Sequence, residues 1–517
     1  MTRAALLAID LGTSAVKVLL IDAESGVPLA AARRSSGVER SNERGAAEQD
    51  PDEWWRAISA ATREAISAAE SSSGRIEVRA ISVCGHGPTL VPVRDDGTAV
   101  GDALLWRDER SAGDAAVLAQ LLGRSGWLLG ELPKARWFVR ERPDAAADAT
   151  WFLSTWDALA LRLSGTAVAS FWDPARSLTP SDRAQLLGSS EGGIDARAMP
   201  PEVQPGTHLG PLLASVAADL GVAAGVPVIA GSNDGLAAVL GAGLARAGVA
   251  VDVGGSAGGV AVAALPDEAE RILAALPGAL WAGPAPTPLG DLRILGGAFG
   301  GTGRLLDLVV AELLADAPGE GLVGLAGRAD LFAAAAALPL GAEGVVARPL
   351  NSSNQRATAR DHFDGVNASH RPEHLVRAAI EGGALAVAAL LAPARERGLH
   401  IDTLRLSGPA TGAVGGPLSG SPLAPDAFPQ LRADLFALPV EVLRIPEAAA
   451  AGAAILAGIG SGTYATISEA LDALVQVERT YEPTPARAEQ ARELLVRYES
   501  LRKRDGGADL RADARGE

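Results

Sequence analysis

One cysteine, Cys84, stands in 517 residues, so no internal disulfide can form and a fold stapled by disulfides is excluded. Basic residues are outnumbered, with 46 Lys+Arg against 62 Asp+Glu; the balance of −16 repels nucleic acid and anionic membrane, and no local basic patch reverses it. Long hydrophobic runs are missing too. The stretch Ala4–Ile9 is too short for a signal peptide or a span, and no later segment offers the ~20 uninterrupted apolar residues that cross a bilayer. No nucleic acid, no membrane and a cytoplasmic setting are therefore expected. Aromatics are sparse at 4%, yet 48% hydrophobic and 21% charged residues are what an ordinary globular enzyme carries.

What is present is length and pattern. The 517 residues exceed one ordinary core and predict two domains of about 250 residues each. "IDLGTSAVKVLLID" (9–22) reads as a hairpin of alternating strands around the turn Gly12-Thr13-Ser14. "DPDEWWRAISAATREAISAAE" (50–70) follows as a helix with an Asp-Pro start, then "IEVRAISVCG" (76–85) as a strand. Strands and helices alternate to about residue 240, which favours a sheet covered by helices. "GVAVDVGGSAGGVAVAAL" (248–265) then repeats the opening, with Asp252 ending a strand before Gly254-Gly255-Ser256. That echo predicts two similarly built domains with a boundary near 245. Beyond it come helices at 304–317 and 371–398, a polar loop at 351–365, a strand at 401–408 and the Ala-rich 447–462. The polar, Gly/Asp-rich 503–517 reads as a disordered tail.

A glycine turn between strands presents backbone N–H groups with no Cβ in the way, so it can cradle phosphate; a nearby carboxylate can hold the accompanying cation. By itself "DLGTSAVK" is also an ordinary turn. Its company is more telling: "AEQDPDEWW" (47–55), "LLWRDERS" (104–111), "AGSNDGLAAVLGAG" (230–243), "DVGGSAGG" (252–259), "GGAFGGTGRLLDLV" (296–309) and "FPQLRADLFALPVEVLRIPEAAAAGAAILAGIGSG" (428–462) follow in order. Together these resemble the FGGY family of carbohydrate kinases, within the actin and hexokinase superfamily, over nearly the whole chain.

The resemblance implies two ribonuclease H-like α/β domains with a cleft between them. Residues 1–245 would hold the sugar, the first phosphate loop and the catalytic aspartate; residues 246–502 would hold the nucleotide. It implies ATP and Mg²⁺, a small sugar or polyol, and assembly that a homodimer would satisfy. Asp234 would be the general base on the attacking hydroxyl, since phosphoryl transfer asks the protein chiefly for positioning and charge; the bland alternative is a helix N-cap before "GLAAVLGAG". Asp10 would hold the metal. Gly12, Thr13, Ser14 and Lys17 with Gly254, Gly255 and Ser256 would grip phosphates, and adenosine would rest near Gly297 and Gly408, Pro409 and Ala410. The sugar would meet His86, Gly87, Trp106, Arg107, Asp108, Asn233 and Asp234. Glu447 and Gln430 read as a helix start and a loop tie.

Several positions depart from the family pattern. Cys84-Gly85-His86-Gly87-Pro88 stands where Ser-Gly-Gln followed by Met-His-Gly is usual among xylulose-acting members. Gly235, not Asn or Gln, follows Asp234. Arg107 replaces a frequent Asn, adding a charge and a planar donor fork that make an acid-bearing substrate conceivable, beside the bland reading of a solvated arginine. The second loop lacks a threonine hydroxyl, and Pro409 removes an N–H where glycines are usual. A ketopentose such as xylulose is the first expectation. Ribulose, a polyol such as glycerol or erythritol, and a sugar acid follow; a catalytically weak sugar-sensing or scaffold member is the rival from another class. The signature at 406–462 argues against an ATP-dependent chaperone or actin-like module.

Overall fold

The computed structural model describes residues 2–188, 196–253, 258–286, 289–298, 302–315, 325–348, 359–408 and 426–504. Two compact units emerge, Met1–Gly241 with Ala449–Val475, and Ala242–Ala448 with Gln476–Glu517. The sequence was divided at one point, near 245; here the chain is divided differently, because Ala449–Val475 returns to the first unit. Of the tail expected at 503–517, residues 503 and 504 end the last helix, and the rest lies outside the described residues.

Up to residue 241 the main elements are β1 (Arg3–Leu11), β2 (Ala15–Asp22), β3 (Pro28–Ser35), α1 (Pro51–Ser73), β4 (Ile76–Gly85), β5 (His208–Pro211), β6 (Pro227–Asn233) and α2 (Asp234–Gly241). Beyond it come β7 (Val249–Asp252), β8 (Gly259–Ala264), β9 (Trp281–Pro284), β10 (Arg293–Ala298), α3 (Pro372–Glu396), β11 (Thr403–Leu406), α4 (Ala427–Phe436), β12 (Val440–Leu443), α5 (Ala448–Gly460) and β13 (Val477–Tyr481).

The first unit's sheet runs β5-β6-β4-β1-β2-β3. Strands β1 to β3 form an antiparallel meander, β4 and β6 continue it in parallel, and β5 closes the edge antiparallel. The second unit's sheet, β9-β10-β8-β7-β11-β12-β13, repeats that plan with one extra edge strand. Here β7, β8 and β10 are the meander, and β11 and β12 the parallel pair. The two sheets differ in chain order at one edge: β5 precedes the strand it pairs with, whereas β13 follows its own. The expected α/β class with two similarly built domains holds.

β1 does not alternate as its pattern suggested. Leu6 to Leu11 are all buried, because β1 is central and covered on both faces, the situation in which a strand reads as a continuous apolar run. Its odd positions, Leu7, Ile9 and Leu11, pack with Trp54, Trp55 and Ile58 of α1. On the other face Leu6 meets Gly458 of α5. That second covering is the physical reason the chain returns at 449. α1 starts where the Asp-Pro signal placed it, with the Asp50 carboxylate accepting from Asp52 N at 2.9 Å and Pro51 in the first turn. α3 is long and apolar enough by composition to cross a bilayer, but it is buried in the second unit's core, where Arg377 and Glu381 pair at 2.6 Å.

Candidate active site

Parallel registry in the first unit aligns three strand ends. Asp10 lies beside Cys84, and Cys84 beside Ser232; one step on, Gly85 is flanked by Leu11 and Asn233. Asp234 follows immediately as the first residue of α2. This places Asp10 and Asp234 at one end of one sheet, where the Asp10 charge raises the cost of ionising Asp234. Lys17, the cross-strand partner of Asp10, brings Nζ to 3.4 Å from Asp10 Oδ2. The Cys84 thiol lies 3.6 Å from Asp10 Oδ1 and 3.3 Å from the Ala449 carbonyl of α5. Burial and the neighbouring carboxylates Asp10 and Asp234 push its pKa well up, so it stays a neutral thiol.

The helix cap belongs to Asn233. Its Oδ1 accepts from Gly235 N at 2.9 Å and Leu236 N at 3.4 Å, which corrects the bland reading of Asp234 as the cap. Asp234 Oδ1 accepts from Gly235 N at 2.7 Å. The Asp234 carboxylate keeps an opening to solvent, yet the protein around it and then the Asp10 charge raise its pKa to about 7; the Gly235 N–H and Lys17 act in the opposite sense. A carboxylate poised near neutrality is what a general base at neutral pH needs.

α2 is held by a close approach to α5. A Cβ on Gly452 would lie 2.0 Å from the Ala237 carbonyl oxygen, so the run of small residues in "EAAAAGAAILAG" lets the two helices touch.

The sugar-side expectations separate in the structure. His86 is buried, its Nδ1 2.9 Å from Thr89 Oγ1 and its Nε2 without a partner among the described residues. Burial lowers its pKa to about 3, so the imidazole is neutral. Trp54 meets it edge-on, ring centroids 5.4 Å apart. Gly87 is flanked by Trp156 and Asn233 Nδ2. Trp106 is 40% exposed and donates from Nε1 to Thr13 Oγ1 at 3.2 Å.

Arg107 is exposed and ion-paired with Glu39, its Nε 3.0 Å from Glu39 Oε1, in keeping with the bland reading of a solvated arginine. Asp108 is buried and engaged within the protein. It accepts from Ala47 N at 2.9 Å and from Arg110 Nη2 at 2.6 Å, holding the loop that carries Trp106. These partners give Asp108 a structural part, beside the substrate contact expected of it.

On the phosphate side, Gly12, Thr13 and Ser14 form the turn between β1 and β2, closed by Gly12 N donating to Ala15 O at 3.1 Å. Gly254, Gly255, Ser256, Pro409 and Ala410 lie outside the described residues. In the second unit Gly408 N donates to Pro446 O at 2.7 Å. Gly297 on β10 faces α3, where a Cβ would meet Leu390 Cδ2 at 2.5 Å, so any larger residue there requires the Leu390 side chain to shift. Glu447 is buried just before α5. Gln430 is the expected tie, though from α4: its Nε2 donates to Glu482 O at 2.8 Å.

Sequence reasoning missed Cys84 and Gln49. The signal for Cys84 was its place at the end of the strand expected at 76–85, two residues before His86; for Gln49 it was the polar residue ahead of a double tryptophan.

The chain matches the FGGY family of carbohydrate kinases, N-terminal domain, over residues 5–241, and the C-terminal domain of that family over 285–461. It is 26% identical over 514 residues to a xylulose kinase of Staphylococcus epidermidis, covering 97% of each chain. A glycerol kinase of Polaromonas naphthalenivorans is 27% identical over 530 residues, covering 96% of this chain and 98% of that one. The crystal structure of xylulose kinase from Rhodospirillum rubrum superposes with a TM-score of 0.68 at 25% identity, covering 96% of this chain and 98% of that one. With both domains of one family matched in order, this chain belongs to the FGGY family of carbohydrate kinases and is a sugar phosphotransferase.

Proposed function

We propose that the protein transfers the γ-phosphate of ATP to a hydroxyl of a ketopentose, xylulose first. The observation that carries this reading is Asp234, an aspartate raised to about 7 beside Asp10 at the strand ends of the first sheet. An alcohol is a weak nucleophile, and a base within reach of its proton raises its reactivity as the bond to phosphorus forms. The proton passes from the sugar hydroxyl to Asp234 Oδ. Asn233, by capping α2, fixes where that carboxylate starts.

Gly12, Thr13, Ser14 and Lys17 are assigned to the phosphates: N–H groups of the turn, two hydroxyls and an ammonium supply donors where charge spreads over phosphate oxygens. Asp10 is assigned to Mg²⁺. Asp10 and Asp234 are hard oxygen donors, and no three His, Cys, Asp or Glu side chains cluster as a closed cage among the described residues; that suits an ion which keeps waters and draws other ligands from phosphate. When bound, Mg²⁺ neutralises phosphate charge.

His86, with Nε2 unpartnered among the described residues, and the exposed face of Trp106 are assigned to the sugar. The sugar-acid option loses its motive, since the Arg107 charge is met by Glu39. Xylulose stands ahead of glycerol because the first relative and the superposed structure carry that name. The test is ADP release with pentuloses, polyols and sugar acids. Turnover that rises with xylulose supports the proposal, turnover with another member reassigns the substrate, and none with any sugar favours the silent alternative.

A further inference from the structure

Thr13, at the tip of the first hairpin, is gripped from three separate segments. Its carbonyl accepts from Ser36 Oγ at 2.7 Å and from Gln49 Nε2 at 2.9 Å. Its hydroxyl accepts from Trp106 Nε1 at 3.2 Å. Ser36 follows β3, Gln49 precedes α1, and Trp106 sits on the loop that Asp108 anchors.

The donors fix the acceptors' orientation. An indole N–H can only donate. Trp54 Nε1 donates to Gln49 Oε1 at 3.0 Å, so the Gln49 amide must turn its NH₂ toward Thr13. Gln49 is 2% exposed, and both ends of its amide are therefore committed. By the same rule Trp106 occupies a lone pair of the Thr13 hydroxyl, and that hydroxyl cannot return its own proton to Trp106. Among the described residues no acceptor takes it. The proton is left for an acceptor on the open side of the turn, where the proposed function places a phosphate oxygen.

Trp106 thus has two faces of use. Its ring, 40% exposed, is open to a sugar; its nitrogen is turned to the phosphate turn. Gln49 stands in a matching place, joined through Trp54 to the ring of His86. We propose that Trp106, through its indole N–H, and Gln49 are positioning residues for phosphate transfer, aiming the Thr13 hydroxyl and linking the sugar-side loop to the phosphate turn. This rests on the reading of the first hairpin as a phosphate site.

The test is a double-mutant cycle on the full chain, with ADP release measured against ATP and against sugar. Trp106→Phe keeps a ring and removes the N–H; losing one neutral hydrogen bond of about 1 kcal/mol corresponds to a roughly fivefold fall in kcat/KM for ATP. Thr13→Val removes the acceptor. If the N–H acts through Thr13, Trp106→Phe in the Thr13→Val background should cost less than twofold further in that parameter. Gln49→Glu, which can still accept from Trp54 but has no donor for Thr13 O, should lower kcat/KM for ATP while equilibrium sugar binding stays within twofold. Melting curves establish that each variant folds.

Independent, multiplying losses from Trp106→Phe and Thr13→Val overturn the inference, as does an effect of Trp106→Phe confined to the sugar KM. If wild-type protein shows no sugar-dependent ATP turnover, it is the kinase reading that fails. In that case equilibrium ATP binding by the same variants decides the inference: equal affinities for wild type and Gln49→Glu overturn it.

Discussion

Lys17 Nζ lies 3.4 Å from Asp10 Oδ2, on the strand directly opposite, so a cation and an anion share the tip of the first hairpin. Asp234 feels both. The Asp10 charge raises its pKa and Lys17 lowers it, with burial the largest influence. The pair therefore sets how poised the base is, and substitutions on either side should move it in opposite directions.

The rate should follow that base. With Asp234 at about 7, kcat/KM should fall about tenfold per pH unit below 7 and level off above it. His86, held down to about 3, does not titrate in this range. Lys17→Met should move the limb to higher pH and Asp10→Asn to lower pH. Limbs unmoved in both variants would disconnect the pair from the base.

Asp10→Asn also removes a hard oxygen anion from the proposed metal site. The Mg²⁺ concentration giving half-maximal turnover should rise at least tenfold. A superimposable metal titration would assign Asp10 a purely structural part.

Asp234→Asn should lower phosphorylation by at least ~10²-fold while nucleotide affinity stays within a few-fold. It should also stabilise the fold in one pH window. The folded pKa of about 7 exceeds the ordinary aspartate value of 3.8, so the folded state holds the proton more tightly. Stability from Asp234 is complete below 3.8 and is lost as pH rises through about 7. The variant should therefore melt a few degrees above wild type at pH 8, with the gap closing toward pH 4. Wild-type turnover, or a gap that widens in acid, would argue against the assignment.

Gly297→Ala probes whether that glycine serves the core. Its Cβ would meet Leu390 Cδ2 at 2.5 Å, and overpacking of this kind costs about 1–3 kcal/mol. A lowered melting temperature with unchanged ATP affinity is expected. Loss of ATP affinity without loss of stability would restore the nucleotide role.

Much of this was legible because it is local. The Asp50-Pro51 start of α1, the strand Ile76–Gly85 and the hairpin around Gly12 need only neighbouring residues to form, and their patterns announced them. The family motifs, being contiguous, carried the identity of Asp10 and Asp234 as candidates.

What the chain alone determined, then, was its class, its duplicated hairpin and the residue types able to do the chemistry. Tertiary structure decided which of them meet. Registry between β1, β4 and β6 set Asp10, Cys84 and Ser232 side by side, with Asp234 two residues on at the same sheet end, a long-range fact no local period encodes. It turned Asp108 toward Arg110, since a charge without a partner loses hydration when packed. It also sent residues 449–475 back to the first sheet, because a central strand exposed on one face would leave Leu6 and its neighbours in water.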